Sequence, residues 1–172
     1  MGRNSSSRYT TKITGDTRGL KSHNNMNDIA VAILSAGVGS RIKSHEPRSL
    51  IKIGNKTLIE HQILTIRNYF KSPEIITVVG CKAERVIKKV RGDVRIVENQ
   101  MHDTTNASES MRLAFNNSSK SNFLFMHGDL HFNVSTLHVD YGKSFIIIDN
   151  KNMISDKEVG VTVCNQTASI FS

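Results

Sequence analysis

The run IAVAIL at residues 29–34 constrains this chain more than any other feature. It is continuous, apolar and partly β-branched, and it stops at Ala36-Gly37. A strand without polar alternation is buried on both faces, as in a parallel sheet. The rest of the chain alternates in the way such a sheet requires. Thr57 to Phe70 sets Leu58, Ile59, Ile63, Leu64, Ile66 and Phe70 on a helical stripe, opened by Thr57 as N-cap with Glu60 three residues later. Ile75 to Val79 reads as a second buried strand, Ala83 to Val90 as a short basic helix, and Val94 to Val97 as a third strand. Ala107 to Phe115 reads as a helix with Met111, Ala114 and Phe115 inward. Asn122 to Met126 is a fourth strand, ending at Gly128-Asp129. SFIIID (144–149) and EVGVTV (158–163) read as two further strands, peripheral and partly antiparallel. The alternation predicts a three-layer α/β/α sandwich with a mostly parallel, Rossmann-like sheet.

Composition excludes several classes. A chain of 172 residues fits one domain with a tail. Two lone cysteines exclude a disulfide scaffold and a CxxC zinc knuckle, and point to a reduced, cytoplasmic compartment. No apolar run reaches the ~18–20 residues that span a bilayer, and the first residues lack a secretory apolar stretch. The charge of +8 is unevenly spread, because residues 1–27 carry Arg3, Arg8, Lys12, Arg18 and Lys21 against Asp16 alone. This stretch is rich in Ser, Asn, Thr and Gly, and is expected to be disordered. It serves as a solubilising extension or as an electrostatic arm for an acidic partner. No aromatic interleaving supports nucleic acid as that partner.

Ligands of parallel α/β sheets sit beyond the carboxyl ends of strands. After the first strand, Gly37 and Gly39 allow successive amides to turn toward an anion. Arg41 adds a forked donor for phosphate oxygens, and Pro47-Arg48 places a second cation after a rigid turn. After the fourth strand, Asp129 offers the hard oxygen that Mg²⁺ prefers, although an Asp after Gly is also a common turn residue. His127 and His131 flank it, and HxDxH admits a softer metal site only if the turn brings all three together. Thr105, Asn106 and Ser110 offer short polar groups at a helix start. They can read a base edge, or simply cap the helix.

The whole segment LSAGVGSRIKSHEPRSLIKIGNKTLIEH (34–61) resembles the signature of the nucleoside-triphosphate transferases, the sugar-phosphate and alcohol-phosphate nucleotidyltransferases. Leu34, Ala36, Gly37, Gly39, Arg41, Pro47 and Leu50 match it in order and spacing. DTTNASESM (103–111) resembles a stretch near the nucleobase in the choline-phosphate cytidylyltransferase-like branch, and FLFMHGD (123–129) resembles the strand whose aspartate binds magnesium. No Gly-Lys-Ser/Thr of a P-loop and no third dinucleotide-fold glycine is present.

The resemblance implies a nucleotide cradle of Ser35, Ala36, Gly37, Val38, Gly39, Ser40 and Arg41, with Thr105, Asn106 and Ser110 near the base. It implies Arg41 and Arg48 as the catalytic cations and Asp129 as the Mg²⁺ ligand. The expected reaction moves a nucleoside monophosphate, CMP foremost, from a triphosphate to a phosphorylated alcohol or sugar. Pyrophosphate is released. Three departures stand beside it. Arg48 occupies a lysine position, Leu130-His131 replaces a glycine-proline feature, and the family's later acceptor-binding portion is expected to be missing from 28–172. A non-catalytic nucleotide-binding or assembly module, self-associating or completed by a partner chain, is the other class consistent with those departures.

Overall fold

The computed structural model describes residues 28–37, 46–90, 92–147, 161–164 and 167–170. The expectations for the basic tail, for Val38, Gly39, Ser40 and Arg41, and for residues 148–160 lie outside them.

Strand β1 (Ile29–Ser35) is buried along its whole length. A one-turn 3₁₀ segment (Arg48–Leu50) and a small hairpin of β2 (Lys52–Ile53) and β3 (Lys56–Thr57) lead into helix α1 (Leu58–Tyr69). Then come β4 (Glu74–Val79), the short helix α2 (Ala83–Ile87), β5 (Val94–Glu98), α3 (Ala107–Asn116) and β6 (Asn122–His127). The four long strands form one sheet in the order β5-β4-β1-β6, each pair parallel. Central placement is why β1 has no polar face. Two crossovers step from β1 outward to β5, and α3 then carries the chain back to the far side of β1. The chain direction therefore splits between β1 and β6, and in open α/β sheets the crevice beyond such a split is where ligands bind.

Small residues on β1 make room for large ones beside it. The register sets Ala30 opposite Phe123 and Ala32 opposite Phe125. Ala30, Ala32 and Leu34 join Ile76, Val78, Val97 and Ala114 of α3 in one core cluster, on which Leu113, Phe123 and Phe125 pack. By strand alternation Val31 and Ile33 face the opposite side. Right-handed crossover places α1 there, and α1 buries Ile59, Ile63 and Ile66. Burial of each such side chain contributes about 1.5–3 kcal/mol before ordering costs. Glu60 accepts from both the N–H and the hydroxyl of Thr57, at 2.8 and 2.7 Å, so the expected capping box starts α1.

Three expectations are corrected. Leu64 of α1 is exposed. Met111 and Phe115 of α3 face outward, while the buried line of that helix is Ser110 and Ala114. A serine can take a core position there because its hydroxyl has a partner, Asn99. Residues 144–147 of SFIIID form no strand, since an apolar run becomes one only when a ladder is available. Strand β7 (Val161–Cys164) overlaps the expected late strand EVGVTV and is peripheral and antiparallel as expected, pairing with β8 (Thr167–Ile170) in a separate two-stranded sheet. Residues from His138 onward belong to a second contact unit, distinct from the one that holds the four-stranded sheet. Among the described residues, no helix is long and apolar enough to cross a membrane.

Candidate nucleotide site

Three segments converge on the carboxyl end of β1. On one side, β6 continues its ladder one residue further, with the Gly128 N–H donating to Leu34 O at 2.9 Å. On the other side, the Cys81 N–H donates to Ala36 O at 3.2 Å. Glycine is required at both flanks by close approach. A Cβ on Gly128 would lie 2.3 Å from Ser35 Oγ and 3.1 Å from Leu34 O, with Ser49 Cβ at 3.2 Å. A Cβ on Gly80 would lie 2.6 Å from His102 Cβ and 2.8 Å from Ala36 O. Gly37 differs from the expectation for it. Its backbone does not take the left-handed region, and a Cβ there would meet nothing within 4 Å among the described residues, so neither a positive φ nor a close approach to them requires glycine at this position. Ser35 and Ala36 are buried beneath it. Val38, Gly39, Ser40 and Arg41 lie outside the described residues.

Arg48 and Asp129, 81 residues apart, meet at this edge. Arg48 Nη1 donates to Asp129 Oδ2 at 2.9 Å. Both side chains are about one-third exposed, at 29% and 33%. A pair so open to water contributes about 0–1 kcal/mol, weak enough for a polyanion and a cation to separate it. Among the described residues, Arg48 Nε is buried without a hydrogen-bond partner, as are the hydroxyls of Ser35 and Ser49. The neighbouring Glu46 is tied to α2 by Lys82 Nζ at 2.8 Å and by Arg85. The hydrogen bond from Lys82, followed by the charges of Arg85 and Lys82, holds the Glu46 carboxyl below its ordinary value.

The loop before α3 is organised by a buried asparagine that sequence reading passed over. Asn99 Nδ2 donates to Thr105 Oγ1 at 3.1 Å and to Ser110 Oγ at 3.2 Å, while its Oδ1 accepts from the Met101 N–H. Thr105 Oγ1 in turn donates to Met101 O at 2.6 Å. Asn106 is the N-cap of α3, its Oδ1 accepting from the Ser108 N–H at 2.9 Å. The capping alternative therefore describes Asn106, and Ser110 reaches the loop only through Asn99. Asp103, Thr104, Thr105, Asn106, Ser108 and the Glu109–Arg112 ion pair line an open concavity of about 560 Å³. The Arg112 hydrogen bonds hold the Glu109 carboxyl below its usual range.

The histidines do not assemble around Asp129. His131 packs its ring edge-on to His61, with centroids 5.4 Å apart, and His61 Nε2 is engaged by Ile53 O at 2.9 Å. Among the described residues, no three His, Cys, Asp or Glu side chains come together as a metal cluster. Asp129 nevertheless fits a hard divalent cation as a single protein ligand. It is a partly exposed carboxylate whose Oδ1 takes no hydrogen bond from the described residues, and Mg²⁺ is commonly held by one or two carboxylates together with substrate phosphates and water.

Four parallel strands whose order splits between β1 and β6, with Arg48 and Asp129 paired at that strand end, make this an α/β protein of the doubly wound kind, in which ligands bind beyond the split. The chain belongs to the MobA-like NTP transferase domain family, which residues 31–139 match. The bifunctional protein GlmU of Thermosipho melanesiensis is 38% identical over 101 residues, covering 58% of this chain and 21% of that protein. That of Acaryochloris marina is 41% identical over 64 residues, covering 37% and 14%. The chain thus spans about a fifth or less of the length of these relatives. Among solved structures, a nucleotidyl transferase from Methanothermobacter aligns with a TM-score of 0.57 and 25% identity over 64% of this chain and 55% of its own. The CTP:phosphocholine cytidylyltransferase of Streptococcus pneumoniae aligns with a TM-score of 0.51 and 25% identity, covering 63% and 50%.

Proposed function

We propose that this chain is a nucleotidyltransferase that transfers a nucleoside monophosphate, CMP foremost, from a triphosphate to a phosphorylated alcohol or sugar. The observation that carries this is the convergence of Arg48 and Asp129 at the mouth of the β1/β6 crevice. The family match and the likeness to a cytidylyltransferase support it. In the reaction, a phosphate oxygen of the acceptor attacks the α-phosphorus. The bond from that phosphorus to the bridging oxygen of the β-phosphate breaks, and pyrophosphate leaves with the electron pair. The nucleophile is already an anion, so no general base is required. Catalysis rests on alignment and on offsetting negative charge.

In this scheme Arg48 exchanges its carboxylate partner for phosphate oxygens, while Arg41 and the amides from Ser35 to Ser40 hold the outer phosphates. The guanidinium keeps the positive charge that the family's lysine would supply, as a planar fork in place of a point charge. Asp129 is the residue that would hold Mg²⁺, which when bound offsets phosphate charge. Thr105 and Asn106 line the base-facing concavity, and Asn99 with Ser110 keeps it in shape. The test is pyrophosphate release with CTP, UTP, ATP or GTP, Mg²⁺, and phosphocholine or a sugar 1-phosphate as acceptor. Acceptor-dependent release with one triphosphate is expected. No release from any combination, with folded protein, refutes the assignment.

A further inference from the structure

Helix α1 carries one polar residue in its buried stripe. Gln62 lies between Ile59 and Ile66 and is only 2% exposed. A buried amide persists only when its hydrogen bonds are made. Gln62 Nε2 makes two, donating to His127 O and to Leu130 O, each at 2.8 Å. These carbonyls bracket Gly128 and Asp129, and the Leu130 N–H donating to His127 O at 3.3 Å closes the same four residues into a turn. The orientation of the amide is dictated, because its oxygen in place of Nε2 would face two carbonyl oxygens. Gln62 Oε1 is left buried without a partner, so the residue retains the amide at a cost. Above the turn, Gly128 sits against Ser35 and Ser49. The Asp129 carboxylate itself bonds only Arg48 among the described residues, and that partner has to leave when phosphate arrives.

We infer that Gln62 is a positioning residue, whose amide fixes the Gly128-Asp129 turn so that the Asp129 carboxylate stays aimed into the crevice once Arg48 has let go. This rests on the nucleotidyltransferase reading, and concerns the support beneath its metal-binding carboxylate. Glutamate would set a carboxylate against two carbonyls, asparagine is too short, and leucine or methionine fills the space without donating.

The test is a Mn²⁺ titration followed by electron paramagnetic resonance, at saturating CTP, on wild-type protein, Gln62→Leu, Gln62→Met and Ile66→Val. Gln62→Leu and Gln62→Met are expected to raise the Mn²⁺ half-saturation about tenfold while the Kd for metal-free CTP moves less than about twofold, the scale on which outer support of a ligand acts. Ile66→Val trims a fully buried side chain of the same helix, and is expected to lower the melting temperature and leave both binding constants unchanged. Equal half-saturation in wild type and folded Gln62 variants, or an equal rise in Ile66→Val, overturns the inference alone. Wild-type protein that binds neither CTP nor Mn²⁺ overturns the nucleotidyltransferase reading with it. Should neither Gln62 variant fold, the ¹⁵N-resolved side-chain amide of wild-type Gln62 decides. Two well-separated protons slow to exchange with solvent, with and without Mg²⁺ and CTP, are expected. A rapidly exchanging pair overturns the clamp.

Discussion

The polar groups at the β1/β6 edge and those in the loop before α3 are organised on opposite principles. At the β1/β6 edge, polar groups are left over. Ser35 Oγ, Ser49 Oγ and Arg48 Nε are buried without partners among the described residues, and the ion pair of Arg48 with Asp129 is one-third exposed and weak. Among the described residues, nothing comparable is left over at the α3 edge. Asn99 uses both side-chain ends, Thr105 both donates and accepts, and Asn106 caps its helix. Buried polar groups are ordinarily satisfied, so a cluster of exceptions marks a place where something else completes the structure. The contrast teaches where to look for chemistry and where to look for scaffold: carboxylate and guanidinium changes at the first edge should act on rate and metal dependence, and loss of the Asn99 network at the second should act first on stability.

The largest expected separation comes from Asp129→Asn. Turnover and Mg²⁺ dependence should fall about a hundredfold or more, the scale of a preorganised charge at a transition state. The melting temperature should barely move, since the ion pair it removes contributes about 0–1 kcal/mol. A large loss of stability without loss of activity would invert the comparison. Asn99→Leu should do the reverse. It orphans the buried Ser110 hydroxyl, at about 1–3 kcal/mol, and denaturant unfolding should show that loss. Gly128→Ala should cost about 1–3 kcal/mol by overpacking, because the Leu34 carbonyl at 3.1 Å is backbone and can yield only a little.

Smaller effects sharpen the picture. Arg48→Lys should keep or raise turnover, since the charge is retained at the position. Complete loss would show that the planar fork itself is needed. The pairing of Glu46 with Lys82 and Arg85 gives the smallest effect. Its carboxyl lies lower in the folded protein than its ordinary value of 4.5. The contribution is therefore fully present above that value, and is lost as pH falls through the lower, folded one. Glu46→Gln should lower stability slightly at pH 7 and leave it unchanged below the folded value, which flattens the acid limb of the profile.

Much of the scaffold is legible in sequence because burial writes it twice. IAVAIL has no polar face because β1 is central, and the Thr57–Glu60 box starts α1 where the apolar stripe does. The α3 helix was harder, because its buried line runs through a serine. Ser110 reads as surface until Asn99 supplies its partner eleven residues back, and the large Met111 and Phe115 then turn outward. The same blindness hides Gln62 and Asn99, polar residues whose burial depends on carbonyls and hydroxyls distant in the chain. Arg48 and Asp129 could each be named from their local motifs, but their pairing across 81 residues is a property of the folded sheet. Gly80 leaves no local signal at all, since what demands it is the His102 side chain from a later loop.

The most direct test of the central claim, that the β1/β6 mouth binds a metal–triphosphate complex through Arg48 and Asp129, is calorimetric titration of CTP into wild-type protein and Asp129→Asn, each with and without Mg²⁺. The account predicts tight binding only in wild type with Mg²⁺, and weak binding in the other three arms. Equal affinity in all four arms, or saturable binding that ignores both the metal and the aspartate, would contradict it.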